Sequence, residues 1–168
     1  MVKFSPLSTY GLSVFLAALT AAEPNCCFQN AWEIISALPH LDATYVEGWL
    51  VLAWEDAILV IEHGWACLPD ARILDPSIIF LVGPKEPLAS FAGVTSTPQE
   101  ALAFRGEMLP RVCTTHGPDG MGHPEYKAAY DQALRLAQSL ASQTRPHRRV
   151  IIQRAIIVSD RPGRHRLL

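Results

Sequence analysis

Three side chains of this sequence, Cys27, His63 and Asp75, are of the types that build a nucleophile, a base and the acid that orients the base. A thiolate is a strong nucleophile, and an imidazole beside it takes up the thiol proton. A carboxylate held against the other ring nitrogen fixes the tautomer of the imidazole. Such a set attacks the carbonyl carbon of an amide, an ester or a thioester. Whether the three residues meet depends on the elements that carry them.

Cys27 lies at the start of a predicted helix that runs from about residue 26 to 38, with Asn25 as the expected N-cap. Its apolar stripe at helical spacing consists of Cys27, Ala31, Ile34, Ile35 and Leu38. The backbone N–H groups and the helix dipole at a helix start favour a thiolate there. Consecutive helical residues point about 100° apart, so only one of Cys26 and Cys27 can face His63.

His63 and Asp75 lie on two successive apolar runs that predict neighbouring strands. Side chains alternate along a strand, so His63 and Trp65 share one face. If residues 69–71 form a three-residue loop, Trp65 pairs with Asp75, and the carboxylate projects on the His63 face at a Cα separation of roughly 7–8 Å. A two-residue loop would shift the register by one and separate the two groups. The hairpin geometry therefore decides whether the base has its acid.

The order of these residues resembles that of the transglutaminase-like branch of the papain-like cysteine enzymes. The resemblance covers about residues 25–79 and is carried by CFQNA at 27–31, YVEGW at 45–49, EHGW at 62–65 and ILDPS at 73–77. In that family a helix-start Cys with a small residue four positions later precedes a Tyr-Val-x-Gly-aromatic strand. A His-(Ala/Gly)-Trp strand and a strand ending in Asp-Pro-(Ser/Thr) follow.

The resemblance implies a papain/transglutaminase-like α+β fold, in which an antiparallel sheet packs against the helix of the nucleophile, with additional helices. It implies a cysteine hydrolase or acyltransferase, similar to a thiol protease, with Cys27, His63 and Asp75 as the catalytic triad. Such chemistry requires no metal and no organic cofactor. The expected substrate is a peptide, a protein or a small amide or ester. The sequence after Leu81 does not match the family, so the part that selects the substrate is not covered.

Four residues near the triad are candidates for a substrate pocket: Trp65, Asn30, Gln29 and Trp49. Trp65 shares the predicted His63 face, and the two amides could help to hold an oxyanion. The backbone N–H of Cys27 is the stronger candidate for that role, because amides at a helix start already point there. Glu62, next to His63, should point to the opposite face, and we expect it to be a surface or ion-pair residue.

The remaining pattern predicts a single α+β domain over residues 1–160 and a basic tail at 161–168. Further helices are predicted from residue 8 or 9 to about 22, from 97 to about 108 and from 125 to 142. The first of these is apolar on most sides, so we expect it in the core. Strands are predicted over residues 44–54, 57–68, 72–79 and 150–158. A second cluster, Cys113, His116, Asp119 and His123, could bind a metal, but it fits no known ligand spacing, so we expect no metal site there.

The composition fits one compact domain, since the 168 residues are 49% hydrophobic and carry a net charge of −2. Arginines crowd the C-terminal end, but such a tail is more often a solvated terminus, and we do not expect nucleic-acid binding. The apolar run at 11–22 is too short to span a bilayer, so we expect no membrane partner. The four cysteines show neither a disulfide nor a zinc pattern, which favours free thiols in the cytoplasm.

Other functions stay open beside the enzyme. A catalytically inactive transglutaminase-like domain could serve as a protein-binding module through its long helix or its basic tail. A weaker alternative is a nucleic-acid accessory factor that uses the C-terminal arginines. Hydrolysis and acyl transfer use the same residues, so the sequence does not choose between them, and it predicts no oligomeric state.

Overall fold

Helices pack against an open, largely antiparallel sheet in the computed structural model, which describes residues 5–6, 10–54, 56–82, 89–103, 109–112, 120–144 and 148–154. The predicted α+β class is confirmed at this level. Within these ranges the chain forms helices α1 (Tyr10–Leu19), α2 (Cys27–Ala37), α3 (Ile78–Val82), α4 (Pro98–Ala103) and α5 (Pro124–Thr144), with a 3-10 turn at Pro39–Leu41. The strands are β1 (Ser5–Pro6), β2 (Thr44–Trp54), β3 (Ala57–Cys67), β4 (Ile73–Leu74), β5 (Ala89–Ser96) and β6 (Arg149–Gln153).

The strands follow the order β1-β5-β2-β3-β4, and β6 joins the free edge of β3 in the parallel direction. The two central strands, β2 and β3, are paired along their full length from Thr44↔Cys67 to Trp54↔Ala57. Their β-branched and aromatic side chains suit a sheet that is covered on both faces. The predicted bounds of β2 are confirmed, and β3 ends one residue earlier than predicted.

Two hydrophobic cores lie on opposite faces of the sheet. On one face, α2 packs against residues of β2 and β3 that include Leu50, Ile61 and Trp65. On the other face, α5 presents small residues, Ala129, Ala133 and Ala137, which let the helix approach the strands closely. The central strands are therefore buried on both sides.

The hairpin between β3 and β4 has the predicted geometry. Cys67 pairs with Ile73 and Ala66 pairs with Leu74, so the next pair in this register is Trp65 with Asp75. Leu68 donates its N–H to Arg72 O at 2.8 Å across a three-residue loop. The last loop residue, Ala71, has a φ of 67°, in the left-handed region that tight turns use.

The predicted strand over 72–79 is wrong beyond Leu74. Asp75 Oδ1 accepts the backbone N–H of Ser77 at 3.0 Å, which turns the chain, and Pro76 has no N–H to donate to a neighbouring strand. The chain then forms α3. The pairing of β4 with β3 therefore ends at Leu74, and Asp75 follows directly after it.

Strand β5 was not predicted, because its sequence (ASFAGVTS) lacks a clear alternation of apolar and polar residues. Gly48 and Gly93 pair with each other where β2 and β5 run side by side. A Cβ on Gly48 would meet the backbone of Ala92 and Gly93, so glycine permits this close approach. Close packing between strands, rather than local sequence propensity, therefore explains why β5 forms where the sequence predicts no strand.

Helix α4 begins with the predicted capping box. Thr97 donates its backbone N–H to Glu100 Oε2 at 2.8 Å, and Glu100 donates its own to Thr97 Oγ1 at 3.2 Å. The predicted continuation to residue 108 falls on 104–108, outside the described residues. The predicted helix over 125–142 is α5, which is slightly longer.

The expectation that the first helix lies wholly in the core is wrong. Its buried residues are Ser13, Leu16 and Ala17. Phe15 is 62% exposed and Leu19 57% exposed, because only one side of α1 covers the rest of the fold. The helix ends at Leu19 rather than near residue 22, and its predicted start falls on 7–9, outside the described residues.

Several predictions near the C-terminus fall on residues that the structure does not describe. Cys113, His116 and Asp119 are among them, as are the end of the last predicted strand and the basic tail. Among the described residues, no group of three or more His, Cys, Asp or Glu side chains could hold a metal ion. Nor does any helix within the described ranges have the length and apolarity to cross a membrane.

Candidate functional site

His63 and Asp75 form a buried pair on the α2 face of the sheet. His63 Nε2 lies 2.8 Å from Asp75 Oδ2, and both side chains are fully buried. Cys27 is a further electrostatic neighbour of the same imidazole and acts on its pKa. Asp75 occupies Nε2, so Nδ1 is the ring nitrogen that does not face the carboxylate. The structure thus brings together the three residues that the sequence analysis selected.

The charge of His63 follows from its two neighbours. Burial lowers the pKa of the imidazole, but the neighbouring side chains of Asp75 and Cys27 raise it to about 10. His63 is therefore an imidazolium at neutral pH. A positive charge beside a thiol favours the thiolate, the form that attacks a carbonyl carbon.

Cys27 is the first residue of α2. The N-cap is Cys26, so the prediction of Asn25 as the cap is wrong by one residue; Asn25 instead has a φ of 62° in the turn that precedes the helix. The backbone N–H groups of a first helical turn have no acceptor within their helix. They are directed to the helix start and can donate hydrogen bonds to an oxygen that develops negative charge there.

Gly64 lets the Cys helix approach β3. A Cβ on Gly64 would lie 2.7 Å from Phe28 Cδ1 and 2.8 Å from Phe28 Cα. Strand β6 pairs with Ala57–Ile61 and β4 with residues 66 and 67, so Gly64 lies in the interval of β3 between them. Because Phe28 follows Cys27 and Gly64 follows His63, this contact sets the distance between nucleophile and base.

Two buried serines hold the backbone around the acid. Asp75 donates its N–H to Ser13 Oγ of α1 at 2.9 Å, and its Oδ1 accepts the N–H of Ser77 at 3.0 Å. Both carboxylate oxygens of Asp75 are thus used, and Oδ2 stays directed at His63. Neither serine was predicted from the sequence to support Asp75. A hydroxyl inside the apolar run 11–19 was the available signal for Ser13, since a buried hydroxyl needs a partner.

The side-chain contacts of Asn30 differ from its predicted role beside an oxyanion. Its Nδ2 donates to Glu23 O at 2.7 Å and to Ser77 Oγ at 2.9 Å, while its Oδ1 accepts the N–H of Glu23 at 3.0 Å. Both amide protons are used, so none is left for an oxyanion. Gln29 donates to Glu33 Oε1 at 2.6 Å, one turn along α2.

The two tryptophans lie on opposite faces of the sheet. Trp65 stacks on His63, with 6.4 Å between ring centroids and 19° between planes. Trp49 pairs with Glu62, the neighbour of His63, and therefore points the other way. It is fully buried against Tyr126 and Tyr130, so it does not line a pocket with the imidazole.

Glu62 points away from His63, as predicted, but it is not a surface residue. It is only 3% exposed, and its Oε1 accepts a short hydrogen bond from the hydroxyl of Tyr126. The apolar face of α5 covers it. The carboxylate therefore joins the long helix to β3.

Glu47 is a second buried carboxylate on the α5 face. It accepts the backbone N–H of Arg111 at 2.6 Å and that of Val112 at 2.7 Å. Burial raises the pKa of Glu47 to about 7, although these two hydrogen bonds act in the opposite direction. A cavity of about 310 Å³ lies beside it, lined also by Thr95, Ser96 and His123 among others. The triad does not line this cavity.

The triad is closed to solvent, since Cys27 is 1% exposed and the other two side chains are fully buried. Burial removes water that would screen charges in the site, so the attraction between His63 and Asp75 is stronger than on a surface. A carbonyl group reaches the sulfur only when the atoms around Cys27 separate.

No protein-family model, curated protein or solved structure matches this chain. The resemblance to transglutaminase-like enzymes thus stays a prediction from the residues quoted above. Support for a function comes from the geometry of the site.

Proposed function

We propose that this protein is a cysteine-dependent hydrolase or acyltransferase with a papain/transglutaminase-like fold, acting on an amide, ester or thioester. The observation that carries the proposal is the row of neighbouring side chains from Cys27 through His63 to Asp75. The imidazole and the carboxylate are 2.8 Å apart, and Cys27 is the other neighbour of the imidazole. It supplies a nucleophile at a helix start, a base and an orienting acid in one buried site.

In the first half of the reaction, the Cys27 thiolate attacks the carbonyl carbon and forms a C–S bond. The carbonyl π electrons move to oxygen, and backbone N–H groups at the start of α2 stabilise the resulting oxyanion. When the oxyanion collapses, the bond to the leaving group breaks. The His63 imidazolium gives its proton to the departing nitrogen, oxygen or sulfur, which leaves a thioester on Cys27.

In the second half, the neutral His63 takes a proton from water or from an amine as that molecule attacks the thioester. The C–S bond breaks, and the thiolate and the imidazolium are restored. Water gives hydrolysis and an amine gives acyl transfer. Asp75 holds the imidazole through both halves, so one set of side chains serves either outcome.

The substrate class we propose is a peptide, a protein or a small amide or ester. The nucleophile must stay reduced, which suits the cytoplasm. The three cysteines within the described part of the chain, Cys26, Cys27 and Cys67, are all free thiols.

Alkylation by iodoacetamide, followed peptide by peptide with mass spectrometry, tests the proposal. Cys67 is partly exposed and Cys27 is 1% exposed, so access alone would make Cys67 the faster thiol. We expect the reverse order at about pH 6, because only a thiolate reacts rapidly there. The variant His63→Gln, which retains a polar side chain, should remove the excess reactivity of Cys27. Equal Cys27 rates in the two proteins would contradict the proposal.

The burial of the triad favours a second candidate function, a catalytically inactive domain of the same fold that binds a protein partner. In that case Cys27 is a small buried core residue. The same labelling experiment separates the two, since an inactive domain should show slow Cys27 labelling that does not depend on His63.

A further inference from the structure

We infer that Asn30 is a positioning residue of the triad, because its side chain joins the helix of the nucleophile to the loop of the acid. This inference rests on the proposed function. Asn30 lies three residues after Cys27 on α2, and Ser77 lies two residues after Asp75. The bond from Asn30 Nδ2 to Ser77 Oγ, at 2.9 Å, is buried.

This bond closes a ring of contacts around the site. Ser77 donates its N–H to Asp75 Oδ1 at 3.0 Å, and Asp75 Oδ2 lies 2.8 Å from His63 Nε2. The imidazole in turn contacts Cys27, from which α2 leads back to Asn30. Cys27 and Asp75, which flank His63, are thus also joined to each other through α2 and the Asn30–Ser77 link.

The same amide fixes the chain that enters α2. Asn30 Nδ2 donates to Glu23 O at 2.7 Å, and Asn30 Oδ1 accepts the Glu23 N–H at 3.0 Å. A single turn separates Glu23 from Cys27, and Asn25 within it has a positive φ of 62°. The amide therefore determines where the helix starts, and with it the place of the sulfur.

The bonding pattern requires an amide at position 30. One nitrogen donates two protons and one oxygen accepts one, which neither a carboxylate nor a hydroxyl can do. The side chain is only 3% exposed, so any of these groups left without a partner would be costly. Separating α2 from the Asp75 loop by about 1 Å would cost roughly 100-fold in the reaction of nucleophile and carbonyl.

The test measures the iodoacetamide rate of Cys27 from about pH 5 to about pH 10, with Cys67 in the same molecule as the reference thiol. The variants are Asn30→Ala, Ser77→Ala and their double substitution. Trp32→Phe is the matched control, since it removes a hydrogen bond of 2.9 Å between the same helix and Ala101 O, away from the acid. Circular dichroism and thermal unfolding show which variants fold.

We expect Asn30→Ala and Ser77→Ala each to lower the Cys27-to-Cys67 rate ratio at about pH 6 by roughly 10-fold to 100-fold. The loss should shrink as the pH rises, because hydroxide then ionises the thiol without help from His63. The double variant should lose little more than Asn30→Ala, since both substitutions remove the same bond. Trp32→Phe should keep the ratio and the pH profile of the wild type.

Folded Asn30→Ala and Ser77→Ala proteins with the wild-type ratio and pH profile would overturn the inference. If Asn30→Ala does not fold, Ser77→Ala decides, because it removes one hydroxyl and leaves the Ser77 N–H on Asp75. Failure of the proposed function gives a different result. Wild type and His63→Gln would then label alike, which overturns both the function and the role of Asn30.

Discussion

The protonation of His63 depends on the two side chains beside it, Asp75 and Cys27. Burial alone would give a neutral imidazole, but Asp75 and Cys27 outweigh it and raise the pKa of His63 to about 10. The imidazolium therefore persists through neutral pH and is lost only as the pH rises through about 10. In the proposed mechanism, His63 can therefore serve as the general acid for the leaving group at neutral pH.

The buried carboxylate of Glu47 should make the stability of the folded protein depend on pH. Burial raises its pKa from 4.5 to about 7 in the folded protein, so the folded state binds more protons between these values. The stabilising contribution is complete below about pH 4.5 and is lost as the pH rises through about 7. Wild type should therefore become less stable over this interval, and Glu47→Gln should remove that part of the decrease. Urea unfolding between these two pH values measures it.

Glu100 is the control for Glu47. Hydrogen bonds from Thr97 lower the pKa of Glu100, so its contribution has the opposite sign and is lost as the pH falls. Glu100→Gln should leave the decrease above about pH 4.5 intact. The same decrease in wild type and Glu47→Gln would show that Glu47 is not its source.

The approach of α2 to β3 is the critical contact between elements. Gly64→Ala would place a methyl group against the backbone of Phe28 and move the helix away. We expect a loss of about 1–3 kcal/mol in the free energy of unfolding, together with slower labelling of Cys27. Chemical denaturation and iodoacetamide labelling measure the two effects.

Gly11→Ala is the matched control, because a Cβ there meets nothing within 4 Å. Alanine is the better helix former, so this variant should be unchanged or more stable by roughly 0.5–1 kcal/mol. If both glycine variants behaved alike, the Gly64–Phe28 contact would not limit the position of the helix.

Helix α1 supports the acid through one hydroxyl. Ser13→Ala leaves the N–H of Asp75 buried without its acceptor, so we expect a loss of about 1–3 kcal/mol in the free energy of unfolding. Ser142→Ala, which removes an exposed hydroxyl bound to Ser139 O, should change it by less than about 0.5 kcal/mol. Equal losses in thermal or urea unfolding would exclude a special role for Ser13.

Across the whole molecule, the sequence predicts those features that depend on neighbouring residues. Apolar runs predict β2 and β3, and a three-residue Pro69–Ala71 loop, one of the two loop lengths considered, gives the register that brings Asp75 to His63. Capping chemistry predicts the start of α4. Each of these signals is local, within a strand, a turn or one helical turn.

Features that depend on distant contacts were not predicted. Strand β5 forms because glycines of two strands allow close packing, and β6 pairs with β3 in the parallel direction from the far end of the chain. The link from Asn30 to Ser77 joins residues 47 positions apart. A single amide in a sequence gives no indication of such a partner, so its predicted role at the oxyanion was not the one its contacts show.

The sheet also separates two polar groups that the sequence places side by side. Glu62 and His63 are consecutive, yet one binds Tyr126 of α5 and the other binds Asp75. Strand alternation keeps the structural carboxylates on one face and the triad on the other. The fold can therefore bind Tyr126 of α5 through Glu62 on one face and pair His63 with Asp75 on the other.

Nitrogen-15 NMR of the His63 ring shows directly whether the imidazole is charged at neutral pH, because it reports the protonation of Nδ1 and Nε2 separately. We expect both nitrogens to stay protonated through neutral pH and the ring to lose a proton at about pH 10. Cys27→Ser should lower that pKa, since it removes one of the charges that raise it. A ring that is already neutral at about pH 7, with the same titration in Cys27→Ser, would contradict the ion pair on which the proposed chemistry depends.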